Sequence, residues 1–122
     1  MSMSDLLSRA YVAASAAILA HFQAGNREKP FNCGYAWVTI PGTSALAKWC
    51  RRDQSDDNDS WFGAKGYPKG WTFFCPGQWP THTRLGFTVY QQDLDFHLAG
   101  ARAFAAVLRE NGIEAVVDAR LD

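Results

Sequence analysis

Gly34-Tyr35-Ala36-Trp37-Val38-Thr39-Ile40 is the stretch that most restricts the fold of this chain. Its β-branched and aromatic residues, bounded by Gly34 and Pro41, mark a strand. Successive side chains of a strand point to opposite faces, and here both alternating sets are apolar: Tyr35 and Trp37 on one, Ala36, Val38 and Ile40 on the other. A strand of this kind belongs in the middle of a sheet. The rest of the chain must then supply its neighbours and its cover, and with 122 residues it can do so for one core but not comfortably for two. The material is sufficient: 48% of residues are hydrophobic and 14% aromatic, against 20% charged, which argues against intrinsic disorder.

Two helices bracket the sheet-forming region. The first is expected to start after Ser4 as N-cap, with Asp5 in its first turn, and to stop at Gly25-Asn26. Leu7, Tyr11, Ala14, Ile18 and Phe22 give it one apolar side, with Ser8, Arg9 and Ser15 elsewhere. Its uncharged run, Ala10 to Ala20, is shorter than the roughly 20 residues that span a bilayer, and no small-x-small cleavage site follows it, so helix is favoured over membrane span or signal. The last helix takes Asp93 or Asp95 as N-cap and an apolar stripe of Phe96, Ala99, Gly100, Ala103, Phe104, Val107 and Leu108. His97, Arg102, Arg109 and Glu110 fall on its polar side. Asn111-Gly112 closes it, with Ile113 placed to meet Leu108 in a Schellman contact, and Glu114 to Ala119 reads as a closing strand.

Between these lie a polar link from Asn26 to Pro30, a Pro41-Gly42 turn, and a short helix capped by Thr43, with Leu46, Trp49 and Cys50 on its apolar side and Arg51-Arg52-Asp53 at its end. Asp53 to Gly70 reads as one long loop, the kind of segment that in a compact domain is usually functional or mobile. Trp71 to Cys75 reads as a strand ended by Pro76-Gly77, and Leu85 to Tyr90 as a weaker one. After the first helix the order is β-α-β-β-α-β. The expected fold is α+β: one small domain with an antiparallel or mixed sheet of three or four strands, covered by three helices.

Chemical motifs are sparse. Cys33, Cys50 and Cys75 are widely spaced, with no Cys-x-x-Cys, which suits reduced core thiols of a cytosolic protein. Asp56-Asp57-Asn58-Asp59-Ser60 resembles a calcium loop only at first sight. Counted from Asp56, Trp61 and Tyr67 occupy the positions where an EF-hand needs glycine and glutamate. His82 is the one histidine placed in a loop, and the Cys75 and His82 pair carries no nucleophile motif. Neither metal nor cofactor is called for by any pattern, and none gives a reason to assert an enzyme.

The candidate binding residues therefore gather in and near the long loop: Asp56, Asp57, Asp59, Trp61, Phe62, Lys65, Tyr67, Lys69 and Trp79. Acidic and aromatic side chains together suit a contact surface for a protein. Arg51, Arg52, Lys65 and Lys69 interleaved with the rings also fit the stacking-plus-charge recipe for single-stranded nucleic acid, but the neighbouring aspartates repel phosphate. Twelve basic residues balance twelve acidic ones, so bulk charge does not draw the chain to nucleic acid or an anionic membrane. The zero is an average over an acidic segment, Asp53 to Asp59, and a basic aromatic one just behind it. At the last residues, Leu121 can pin the strand and Arg120 can pair with Asp118 or Asp122.

Several short motifs together carry a resemblance. Gly34-Tyr35-Ala36-Trp37-Val38, Lys69-Gly70-Trp71 leading to Cys75-Pro76-Gly77, Ala99-Gly100-Ala101 with Val107-Leu108-Arg109, Gly112-Ile113-Glu114-Ala115 and Arg120-Leu121-Asp122 make the chain similar to a group of small phage and prophage proteins of unassigned function. That group has a Gly-Phe-Ala-Trp-Val strand, an aromatic-Asn-Pro turn and a Leu-Arg helix end running into Ser-Arg-Leu-Asp. This chain departs from it at Cys75 in place of Asn, at Ala119 in place of Ser, in its Asp-rich loop, and in extra residues between Gly77 and Asp93. The resemblance implies a virus-encoded accessory protein of the bacterial host cytoplasm. Its expected partner is a host or viral protein that it binds and modulates, with a defence complex, blocked in an anti-CRISPR-like manner, or a nucleic-acid-processing complex as candidate targets. A small single-stranded nucleic-acid-binding protein and a small enzyme built around His82 are the alternatives.

Overall fold

In the computed structural model, residues 2–24, 34–53, 63–66, 70–74 and 94–121 are described. They form three helices, α1 (Met3–Gln23), α2 (Ala45–Asp53) and α3 (Leu94–Glu110), and four strands, β1 (Gly34–Pro41), β2 (Gly63–Gly66), β3 (Gly70–Phe74) and β4 (Val116–Leu121). The strands make one sheet in the order β2-β3-β1-β4, with every neighbouring pair antiparallel. The fold is thus α+β. The strand expected to be central is paired on both edges, Val38 standing opposite Phe73 of β3 and Val117 of β4. Each half is a split β-α-β unit: β3 lies between β1 and β2, and β1 between β3 and β4.

The expected pattern of strands and helices is met by a different set of strands. Gly63–Gly66 lies inside the stretch read as one long loop, yet it pairs with β3 from Gly63 opposite Phe73 to Gly66 opposite Gly70. Glycine, alanine and lysine have little preference for extended structure, so this strand is made by the neighbour it pairs with rather than by its own residues. Leu85 to Tyr90 lies outside the described residues, as do Cys33 and Cys75. The last strand begins at Val116, not Glu114, and runs to Leu121.

One face of the sheet supplies the core. Ala36, Val38 and Ile40 of β1 and Trp71 and Phe73 of β3 are buried together with Leu46, Ala47 and Cys50 of α2 and Ala101, Phe104, Ala105 and Leu108 of α3. Full burial of a Leu, Ile or Val side chain is worth about 1.5–3 kcal/mol. Phe73 and Phe104 tie sheet to helix, with ring centroids 5.2 Å apart. On the opposite face Thr39 and Thr72 pair across strands, their hydroxyl oxygens 3.3 Å apart.

α3 packs on β1 and β4, and α1 packs along α3. The buried side of α1 is Leu6, Leu7, Ala10, Ala14 and Ile18, with Tyr11 half-buried, so the stripe is rotated towards the residues that meet α3. The two helices come close at Gly100, where a β-carbon would come within 2.9 Å of Ile18 Cδ1 and 3.9 Å of Ala14 Cβ. The buried side of α3 includes Leu94, His97, Ala101 and Ala105, while Ala99, Ala103 and Val107 are only partly covered. Because α3 is held between the sheet and α1, it buries a wider arc than a single stripe.

Serine hydroxyls cap the first two helices, each near the residue the sequence suggested. Ser2, not Ser4, caps α1, its Oγ accepting from the Asp5 amide at 3.1 Å. Ser44, not Thr43, caps α2, accepting from the Ala47 amide at 3.1 Å while its hydroxyl donates to the Pro41 carbonyl at 2.8 Å. Asp95 lies within the first turn of α3, and Asp93 is outside the described residues. The end of α3 is the expected Schellman motif: the Ile113 amide donates to Leu108 and the Gly112 amide to Arg109, with Gly112 at φ +80°. Ile113 packs partly buried against the core.

Candidate functional site

Of the nine residues proposed for binding, Lys65 is the one within the described structure. It stands on β2, at one edge of the sheet, opposite Trp71 in register. Asp56, Asp57, Asp59, Trp61, Phe62, Tyr67, Lys69 and Trp79 lie outside the described residues, and so does His82.

His97 is corrected by the structure. The sequence pattern places it on the polar side of the last helix, but it is fully buried, with Nδ1 2.9 Å from the Gly34 carbonyl oxygen. That oxygen can only accept, so Nδ1 carries the proton and donates. The side chain ties α3 to the start of β1, a structural role that hydropathy alone conceals. His21 is partly covered and sits edge-on to Phe96, ring centroids 4.8 Å apart and planes at 84°. Cys50 is a fully buried thiol in the core, as its apolar neighbours suggested. Among the described residues, no group of three or more His, Cys, Asp or Glu side chains could hold a metal ion.

The basic residues of α2 divide. Lys48, Arg51 and Arg52 are all exposed, on the side of the helix away from Leu46, Ala47 and Cys50. The Arg51 guanidinium donates back to the Gly42 carbonyl, which fixes the turn between β1 and α2. Arg51 thus has a structural commitment that its place in a basic cluster did not reveal.

A solvent-open groove of about 520 Å³ lies where the start of α1, the turn after β1 and the link between α3 and β4 meet. The start of α1 contributes Met3 and Leu6, the turn after β1 contributes Pro41 and Thr43, and the link between α3 and β4 contributes Ile113 and Glu114. Each wall has a local cause. Capping by Ser2 and Ser44 brings both helix starts to the groove, and the left-handed Gly112 turns the chain so that Ile113 faces inward against the core. Arg109 secures that link by donating from Nε to the Ala115 carbonyl at 2.8 Å.

Apolar residues, Met3, Leu6, Pro41 and Ile113, line this groove together with the hydroxyl, amide and carboxylate side chains of Thr43, Ser44, Asn111 and Glu114. Its polar groups are partly engaged in shaping the turns: Ser44 serves the α2 cap, and Asn111 donates from Nδ2 to the Val107 carbonyl at 2.8 Å. Nothing in the sequence marked these positions as a unit, because their proximity is created by packing. The cap residues were the available signal. Among the described residues, no helix is long and apolar enough to cross a membrane. Comparison of the chain with protein-family models, with curated proteins and with solved structures finds no match.

Proposed function

We propose that this chain is a phage-encoded accessory protein of the bacterial cytoplasm that acts by binding a host or viral protein, a host defence complex being the favoured target. The observation that carries the reading is the groove between the starts of α1 and α2 and the end of α3, with Met3, Leu6, Pro41 and Ile113 as its apolar lining. Apolar residues together with polar ones suit a protein-recognition surface. The phage setting rests on the likeness of the strand, turn and helix-end motifs described above, and the acidic and aromatic residues from Asp56 to Trp79 extend the set of candidate contacts.

Affinity capture from bacterial lysate at physiological salt tests this reading. The wild-type chain is expected to retain one stoichiometric protein. Ala45→Arg, an exposed change at the groove edge, is expected to release it while leaving the fold intact. Failure to retain a stoichiometric protein contradicts the binding role, and equal retention by the variant contradicts the groove.

Single-stranded nucleic acid is the second reading, favoured by the exposed Lys48, Arg51 and Arg52 along α2. Such binding weakens steeply as salt rises. A mobility shift at low salt that disappears on adding salt supports it, and the absence of any shift at low salt excludes it.

A further inference from the structure

The two edges of the sheet are built differently. β2 is four residues long, has glycine at both ends and carries Lys65, features that discourage another strand from adding to it. β4 is six residues long, Val116-Val117-Asp118-Ala119-Arg120-Leu121, with neither proline nor lysine. It pairs with β1 along one side, and among the described residues no strand pairs with its other side. Val116 is 52% exposed, and Asp118, Ala119 and Arg120 are exposed as well. Ala119 shares the helix-covered face with Ala36, its partner in register, so helix cover stops short of this edge.

The residue pattern of β4 is its own complement. We propose that two copies of this chain join edge to edge through β4, antiparallel about a two-fold axis at Ala119, forming one continuous sheet. This register sets Asp118 of each copy opposite Arg120 of the other, twice, and Val117 opposite Leu121. A two-fold axis perpendicular to the sheet keeps both helix-covered faces on the same side, which limits the axis to a residue position. Centring on Asp118 or on Arg120 would set that residue against its own copy and place like charges together, which is destabilising across strands. The Ala119 register alone satisfies both charges, and it gives the outward backbone groups of both edges, which no described strand pairs, ladder hydrogen bonds. A second copy is therefore an occupant that sets opposite charge against both Asp118 and Arg120. This association is independent of the groove and of what the groove binds.

Charge reversal tests the register directly. Sedimentation velocity over a concentration series is expected to show a wild-type dimer. D118R and R120D, each alone, should dimerise at least about tenfold more weakly, because each sets like charges opposite one another twice. An equimolar mixture of the two variants should form a heterodimer, and the double variant D118R/R120D should dimerise like wild type. Recovery in the mixture also shows that each variant is folded. A wild-type chain that stays monomeric throughout, single variants that dimerise as wild type does, or a mixture that remains monomeric would each overturn the proposal.

Discussion

Gly112 holds a backbone conformation, φ +80°, that side chains with a β-carbon disfavour by about 1–2 kcal/mol, and a β-carbon there would meet open space. Gly112→Ala should therefore lower stability by about that amount through strain alone, measurable as a shift in the urea midpoint with unchanged slope. His97 is the opposite kind of residue, tolerated for its contacts. His97→Phe keeps an aromatic ring in place but leaves the Gly34 carbonyl without its side-chain donor, so a loss of about 1–3 kcal/mol is expected in the same measurement. These two residues also show what a sequence reveals at this scale. Asn111-Gly112-Ile113 was legible because a helix stop depends on local chemistry, whereas His97 was placed on the wrong side because its partner is distant in the chain. Ser2 and Ser44 lie between these cases: the right chemistry was visible close to each helix start, and packing chose which hydroxyl served.

Helix α1 meets α3 at a place where a small residue of one helix admits a large side chain of the other. Gly100 makes room for Ile18, which is fully buried, and Ala14 lies beside it. Ile18→Ala should destabilise by about 2–5 kcal/mol through the cavity it leaves. Gly100→Leu should cost about 1–3 kcal/mol by overpacking the same site. Combined, the two changes should cost less than the sum of their separate effects, because the added side chain fills the space vacated; chemical denaturation of the four species measures the coupling. Elements with strong periodicity or β-branched content, α1, α3 and β1, were legible for that reason. β2 was not, since Gly63-Ala64-Lys65-Gly66 becomes a strand through pairing with β3, information that resides in Gly70-Trp71-Thr72-Phe73.

At the scale of the molecule, a balanced net charge conceals local asymmetry, and the described structure adds a basic side of α2 and an alternating Asp118 and Arg120 edge to the acidic stretch visible in the sequence. Cys50 is fully buried, so in a variant retaining only that cysteine a thiol reagent should react slowly in buffer and rapidly once urea unfolds the chain. Fast labelling in buffer would contradict a packed α2. The groove is a property of this scale too, since Met3, Pro41 and Ile113 come from three separate parts of the chain and meet through the packing of α1, the turn after β1 and the end of α3. The binding role is tested most directly by photocrosslinking in bacterial cells, with benzoylphenylalanine placed at Ala45 beside the groove and, separately, at Val12, which is 65% exposed on α1. One discrete protein crosslinked from position 45 and not from position 12 is the expected result. No crosslinked protein from position 45, or the same products from both positions, would contradict a partner held in the groove.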